Sequence, residues 1–452
     1  MKLFGTDGIR GLADAYPFDN YTLSIIGASI AEVLGAKGKK ILIISDTRQS
    51  APRICKYLSC GLAYAGAEAI FAQVLPTPAA SFLTSISDYE AAIVISASHN
   101  PYTDNGIKIF ASNGLKLLDE TEQKIEKLIC KYQTQKIQIP IIKNPFIIDD
   151  TLLQKYENFL IENFPAAMRD FFKDKTIVLD CANGAAYLCA PAVYKALGAK
   201  VLAFNVLPDG KNINDQCGAL HPEFAAGQVK KNKAFCGFCF DGDGDRLICI
   251  DEQGNIRDGD FFLFAMAKYL KSRNKLKNNI LVSTVMANLG LFNACKKENI
   301  EVLKTQVGDR YVLEAININN ASLGGEQSGH FIFRDILPTG DGLLSSVLLL
   351  EAVMQNKTTV SSFFEGLQKF PQILINHKVA KKVPIDQLPK TSALIKKYEQ
   401  ELADDGRILV RYSGTENLAR VMVEAKDEGR LKPIAQNIMD ILLEETNDKA
   451  GS

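Results

Sequence analysis

Short runs of apolar and β-branched residues alternate with longer stretches whose apolar positions recur at helical spacing through most of this chain. The runs at residues 40–45, 91–95, 176–179, 235–240 and 280–283 predict buried strands. The stretches at 21–34, 51–65, 120–132, 191–197 and 260–271 predict helices with one apolar face. Strands and helices in alternation predict α/β units built on buried sheets. Near residue 366 the pattern changes. β-type sequence at 373–380, 407–411 and 419–424 is followed by an amphipathic helix over 432–445, which predicts a smaller α+β module. Residues 447–452 are expected to form a flexible tail.

A chain of 452 residues is too long for one core. Seams at 137–145, 251–255 and 366–372 suggest domains over 1–147, 148–248, 249–366 and 367–446. The 52 basic residues balance 52 acidic ones, which argues against a broad nucleic-acid or anionic-membrane surface. The opening Met1-Lys2-Leu3-Phe4-Gly5-Thr6-Asp7 has no apolar signal segment. The greasiest helical stretch, 343–354, contains Ser345, Ser346 and Glu351 and is too short to span a bilayer. A cytoplasmic protein without membrane or nucleic-acid partners is expected. The 10 cysteines are too few for a disulfide scaffold, and the odd spacing of Cys236 and Cys239 puts them on opposite faces of a predicted strand. Reduced, buried cysteines are expected.

Four loops carry candidate chemistry. Ile95-Ser96-Ala97-Ser98-His99-Asn100-Pro101 leaves the carboxyl end of a predicted strand, where open α/β folds bind ligands. Ser98 there is either a nucleophile or a turn cap, and Asp104-Asn105-Gly106 reads as a turn. Phe240-Asp241-Gly242-Asp243-Gly244-Asp245-Arg246 crowds three carboxylates between two glycines. That crowding is costly without a cation and suits a hard ion such as Mg²⁺. An EF-hand reading draws support from Glu252, but Arg246 stands where glycine is required and both flanks read as strands. Gly324-Gly325-Glu326-Gln327-Ser328-Gly329-His330 offers hydrogen-bonding groups of the kind that bind sugar hydroxyl or amino groups, or is a plain surface loop. Arg411-Tyr412-Ser413-Gly414-Thr415-Glu416-Asn417, with Arg420 following, could cradle a phosphate or simply turn between two strands. A serine hydrolase built on Ser98 and His99 is a rival. Adjacent residues rarely supply nucleophile–base geometry, and no Gly-x-Ser-x-Gly occurs.

Together and in this order, the four loops resemble the α-D-phosphohexomutase superfamily over nearly the whole chain. Finer segments are similar to its glucosamine-phosphate branch. They are Phe4-Gly5-Thr6-Asp7-Gly8-Ile9-Arg10-Gly11, Asp180-Cys181-Ala182-Asn183-Gly184-Ala185-Ala186, Asn214-Asp215-Gln216-Cys217-Gly218 with His221-Pro222-Glu223, and Val307-Gly308-Asp309-Arg310-Tyr311-Val312. Gln327 belongs with them, since the glucose and mannose branches usually carry Met or another residue there. Tyr412 and Asn417 depart from prolines usual in the superfamily, and Ala219 and Leu220 depart from Ser and Thr or Ser.

The resemblance implies three related α/β domains with mixed sheets and a smaller C-terminal α+β domain of a TATA-box-binding-protein-like fold, around a central cleft. It implies an isomerase, an intramolecular phosphotransferase that interconverts glucosamine 6-phosphate and glucosamine 1-phosphate on the route to UDP-N-acetylglucosamine and peptidoglycan precursors. Ser98 would be a phosphoserine and a 1,6-bisphosphate the intermediate. One Mg²⁺ would sit on Ser98, Asp241, Asp243 and Asp245, with glucosamine or glucose 1,6-bisphosphate as activator. Arg10 and Arg246 would add positive charge, and Lys108 and His330 would do acid–base work. Glu326, Gln327 and Ser328 would hold the sugar, and Arg411, Ser413, Gly414, Thr415 and Arg420 the phosphate. The assembly would be a monomer or a homodimer. A phosphoserine carries about −1.5 to −2 charge and needs such neutralising partners.

Overall fold

The computed structural model describes residues 3–5, 7–413 and 417–448. The chain forms two compact units, Met1–Met286 with Asn299–Glu365 and Ala287–Glu298 with Gly366–Ser452.

The first unit holds three sheets. Strands β1 (Phe4–Gly5), β2 (Gly8–Leu12), β3 (Lys40–Ser45), β4 (Glu68–Val74), β5 (Tyr89–Ile95), β6 (Asp104–Ala111) and β7 (Phe146–Ile148) form one of order β1-β2-β6-β5-β3-β4-β7. Strands β8 (Thr176–Asp180), β9 (Lys200–Phe204), β10 (Cys236–Phe240), β11 (Leu247–Ile250) and β12 (Ile256–Arg257) form the second, ordered β12-β11-β10-β8-β9. Strands β13 (Ile280–Thr284), β14 (Glu301–Thr305), β15 (Leu323–Gly325) and β16 (Phe331–Phe333) form the third, ordered β14-β13-β15-β16.

One arrangement underlies all three. Its first strand lies between the second and the third, parallel to both, and the fourth returns antiparallel to the third. The sets β3-β4-β5-β6, β8-β9-β10-β11 and β13-β14-β15-β16 all follow it, with β1, β2, β7 and β12 added at edges. The return strand leaves one connection per domain at the carboxyl end of its third strand. These connections carry Ser98, the Asp241–Asp245 loop and the Glu326–His330 loop. Burial of Ile41, Ile43, Ala91, Ile93 and Ile95 against Leu23, Ile26, Ile54 and Leu58 forms the core around the first sheet.

Most predicted elements agree with the observed ones to within one or two residues, for example at Asn20–Val33, Ala51–Tyr64 and Gly259–Ser272. Three expectations need correction. Asp104-Asn105-Gly106 is no turn but the start of β6, paired with Leu12, Gly11 and Arg10. Glycine is needed there because a Cβ on Gly106 would lie 2.3 Å from the Ser96 carbonyl. The boundary at 248 cuts β11, whose ladder continues to β12, so the second sheet extends through Arg257. The boundary at 147 likewise cuts β7, which pairs with β4. The helix Leu289–Lys297, though it lies in sequence within the third domain, groups with the C-terminal unit. Buried Glu424 explains this: it accepts from Leu289 N at 2.9 Å, Asn288 Nδ2 at 3.3 Å and Arg407 Nε at 2.9 Å.

The rest of the second unit is an antiparallel sheet of β17 (Gln372–Lys378), β18 (Gly406–Tyr412) and β19 (Leu418–Ala425), ordered β17-β19-β18. The helices Pro389–Leu402 and Leu431–Asp448 complete it, around a core that includes Val421, Val423, Ile434, Ile438 and Leu442. The last helix runs to Asp448, so residues 447 and 448, expected in a flexible tail, are helical; residues 449–452 lie outside the described ones. All 10 cysteines are free, and only Cys130 is exposed. Among the described residues no helix is long and apolar enough to cross a membrane.

Candidate active site

Ser98 is 2% exposed and sits in the left-handed region at φ 53°, a conformation that costs energy for a residue with a Cβ. Its Oγ donates to Asp241 Oδ2 at 2.6 Å. Its N–H donates to Ser96 Oγ at 2.9 Å, and Ser96 Oγ donates to Asp46 Oδ2 at 2.6 Å. Asp46 pairs with Arg48 at 2.8 Å, both side chains fully buried. Arg48 donates in turn to the carbonyls of Ser98 at 2.9 Å, Asn100 at 2.8 Å and Asp104 at 3.1 Å, and to that of Pro101. A buried guanidinium thus replaces the hydrogen bonds that a strand or helix would give this loop. Sequence reasoning missed Asp46 and Arg48. The available signal was a charged Asp-x-Arg directly after the apolar strand at 40–45.

Asp241, Asp243 and Asp245 are buried, and their carboxylate oxygens come within 4.8 Å of one another. Asp243 Oδ2 accepts from Thr77 Oγ1 at 2.6 Å and Lys108 Nζ at 2.9 Å. Asp243 Oδ1 and Asp245 Oδ1 are buried with no hydrogen-bond partner. Burial, then repulsion from Asp245 and Asp243, holds the Asp241 carboxyl well above its ordinary range. Burial and Asp243 likewise raise Asp245. For Asp243 burial also acts upward, but Lys108 and the Thr77 hydroxyl outweigh it and its pKa falls. Unpartnered buried oxygens on mutually repelling carboxylates fit a divalent metal ion. The EF-hand alternative fails on geometry. β10 and β11 flank the loop, and the Glu252 carboxylate accepts from Ser361 instead.

Lys108, buried on β6, also lies 3.2 Å from Asp7 Oδ2 and 3.7 Å from Asp245 Oδ2. Burial alone would depress its pKa; the three carboxylates raise it instead and hold the ammonium form. Asp7 pairs with Arg10 and with Lys116, which bridges onward to Asp309 at the start of the helix Asp309–Ile318. Arg10 reaches the Ala97 carbonyl at 3.3 Å, beside Ser98. Arg246 follows the carboxylate loop and forms an isolated β-bridge with His330. His330 is 4% exposed, with Nε2 4.0 Å from Asp309 and Nδ1 buried without a partner. The three loops therefore meet in this unit, bringing Arg10, Ser98, Lys108, Arg246 and His330 together with the three aspartates.

In the third loop Glu326 Oε1 accepts from Gly308 N at 3.2 Å. Gln327 Nε2 donates to Asp258 at 3.4 Å, and Ser328 is exposed. The serine-hydrolase reading draws on a 3.4 Å contact between Ser98 Oγ and His99 Nδ1. But burial, then Arg246 and Arg10, depress His99 to about 4, no carboxylate among the described residues hydrogen-bonds its ring, and Ser98 is committed to Asp241.

In the C-terminal unit Arg411 and Arg420 are direct cross-strand partners on β18 and β19. Burial, then Arg420, pulls the Arg411 pKa down. Two like charges thus sit face to face across the ladder. Ser413 is buried, its carbonyl held by Lys382 Nζ at 2.7 Å, a residue not anticipated from sequence. Gly414 and Thr415 lie outside the described residues.

A buried serine hydroxyl on a metal-fitting carboxylate cluster, gathered from repeated α/β domains, is the layout of a phosphoryl-transfer enzyme. The chain belongs to the phosphoglucomutase/phosphomannomutase family, matching its α/β/α domains I, II and III over residues 1–136, 154–254 and 258–370 and its C-terminal domain over 374–441. It is 43% identical over 452 residues to the phosphoglucosamine mutase of Desulfotalea psychrophila, covering 99% of each chain. It is 43% identical over 446 residues to that of Myxococcus xanthus, covering 98% of this chain and 97% of that one. A phosphoglucomutase/phosphomannomutase family protein from Burkholderia thailandensis has the same fold, at TM-score 0.79 and 24% identity over 98% of this chain and 97% of that one. So does Aspergillus fumigatus N-acetylphosphoglucosamine mutase, solved with GlcNAc-6P and magnesium, at TM-score 0.67 and 17% identity over 98% and 96%. The chain is an isomerase of the phosphohexomutase type.

Proposed function

We propose that the chain interconverts glucosamine 6-phosphate and glucosamine 1-phosphate through phosphorylated Ser98 and a 1,6-bisphosphate. The observation that carries this reading is the Ser98 hydroxyl hydrogen-bonded to Asp241 inside the carboxylate cluster. In the forward direction the sugar O1 attacks the phosphoryl group of Ser98. The P–Oγ bond breaks and the O1 proton passes to the protein. After the bisphosphate turns over, Ser98 Oγ takes the 6-phosphoryl group and O6 regains a proton. Lys108 and His330 carry the proton exchange.

Asp241, Asp243, Asp245 and phosphorylated Ser98 would hold one Mg²⁺, which supplies positive charge for the oxygens of the transferring group. Arg10 and Arg246 add fixed positive charge. Glu326, Gln327 and Ser328 hold the sugar, with Gln327 the residue assigned to telling amino sugars from glucose and mannose. Arg411, Ser413 and Arg420, with Gly414 and Thr415, take the phosphate that is not being transferred. Glucosamine or glucose 1,6-bisphosphate recharges Ser98. A supply of glucosamine 1-phosphate for UDP-N-acetylglucosamine is a cytoplasmic role, fitting a monomer or a homodimer.

The test is kcat/KM of the phosphorylated protein with Mg²⁺ on glucosamine, glucose and mannose phosphates side by side. Glucosamine phosphate is expected to lead by about tenfold or more. Equal or better turnover of glucose or mannose phosphate would leave the mutase chemistry in place and remove the assignment of Gln327.

A further inference from the structure

The Asn214-Asp215-Gln216-Cys217-Gly218 segment has no part in the chemistry above, yet its first residue lies against the nucleophile. Asn214 Nδ2 donates to the Ser98 carbonyl at 2.9 Å and the Asn100 carbonyl at 3.2 Å, across 116 and 114 residues of sequence. The same two carbonyls accept from Arg48 Nη2 at 2.9 and 2.8 Å. Two donors, one from each of two domains, thus converge on two oxygens of the Ser98 loop. The metal-fitting loop meets them there. A Cβ on Gly242 would fall 2.5 Å from the Ser98 carbonyl and 2.7 Å from Asn214 Nδ2. Asn214 itself is at φ 59°, a conformation asparagine tolerates better than most residues, and its N–H is tied to the Ala182 carbonyl at 2.9 Å.

We infer that Asn214, acting with Arg48, is a positioning residue that fixes the Ser98 carbonyl and so holds Ser98 in its left-handed conformation with Oγ on Asp241. Left-handed backbone at a non-glycine residue persists only where its surroundings over-determine it. On the N-terminal side of Ser98, the Ser96 hydroxyl and Asp46 do this; on the C-terminal side, Arg48 and Asn214 do. Only Asn214 belongs to the domain that supplies the carboxylates. It therefore sets the nucleophile in register with them, and the inference rests on the reading of Ser98 as phosphoryl carrier.

Arg48 is unsuited to the decisive test, because its loss leaves Asp46 buried without its cation and endangers folding. Asn214→Gly keeps the backbone conformation accessible and removes the side chain with its amide donor. Wild type and Asn214→Gly would be mixed, dephosphorylated and with Mg²⁺, with glucose 1,6-bisphosphate, and phosphate uptake on Ser98 followed by mass spectrometry in a single turnover. The variant is expected to take up phosphate about ten- to hundredfold more slowly, as a small misplacement of a reacting group does. KM for glucosamine 6-phosphate should stay within about twofold of wild type, since no sugar contact is removed. Asn214→Asp, which sets an oxygen against both carbonyls, should be slower still. If wild type and Asn214→Gly are charged equally fast, Asn214 only docks the two domains and the inference fails while the Ser98 reading stands. If wild type takes up no phosphate on Ser98, both fail.

Discussion

Neighbouring carboxylates in one seven-residue sequence are pushed in opposite directions. Lys108 and Thr77 keep Asp243 ionised, whereas burial and its neighbours make ionisation of Asp241 and Asp245 costly. A divalent ion would offset that cost, so the cluster should bind metal through Asp241 and Asp245. Asp243→Asn keeps the shape and an oxygen for Thr77 but gives up one charge. It should raise the Mg²⁺ concentration for half-maximal rate and lower kcat together, by roughly a hundredfold in kcat. A metal titration of initial rates checks this. An unchanged Mg²⁺ requirement would take Asp243 out of the ligand set. Ser98 and the three aspartates were legible in the sequence because each loop displays its chemistry within a few adjacent residues. Arg48, Thr77 and Asn214 were not, because they reach the same point from 50, 166 and 116 residues away in sequence.

Among elements, the strands and helices named from the sequence lie close to observed ones, since burial imposes period on sequence. One element was misread, where glycine serves a close approach rather than a turn, at Gly106 in β6. Gly342 also serves a close approach. It opens the helix Gly342–Gln355 with its N–H on the Gly244 carbonyl at 3.1 Å, and a Cβ there would lie 2.5 Å from the Arg246 carbonyl. That helix braces the carboxylate loop from behind, and its N-cap is Asp341, which accepts from Leu344 N at 2.9 Å and Tyr156 OH at 2.8 Å. Burial raises Asp341 from 3.8 to about 7 despite those hydrogen bonds. Between these pH values the folded chain keeps a proton that the unfolded chain has released. Stability from this group is therefore full below about pH 4 and falls as pH rises to about 7, by up to roughly 4 kcal/mol. Asp341→Asn caps the helix without titrating. The difference in thermal midpoint, wild type minus variant, should move against wild type from pH 4 to 7 and then level off. A difference that does not change with pH would show that Asp341 is ionised throughout.

For the whole molecule, the repeated strand order explains why three loops distant in sequence carry one site: each is the same connection in its own domain. Alternation in the sequence revealed α/β units but not that shared order, since sheet order is set by which strands pair and periodicity records only which face is buried. Nor could it show that the helix Leu289–Lys297 joins the C-terminal unit, which depends on the long-range hydrogen bonds of Glu424. Two units with separate cores should not unfold in a single two-state step, and calorimetry should resolve more than one transition. The C-terminal unit holds Arg411 opposite Arg420, and no carboxylate among the described residues pairs with either. Such a pair opposes folding until an anion arrives, and binding then adds stability as RT ln(1 + [L]/Kd). Inorganic phosphate without Mg²⁺ should therefore raise one transition, by about 2.7 kcal/mol at a hundredfold excess over Kd. Arg411→Ala should lose most of that response, yet without phosphate its midpoint should not fall, because the substitution also removes the repulsion. A variant that is less stable without phosphate but still responds fully to it would mean that Arg411 supports the fold and that the anion binds elsewhere.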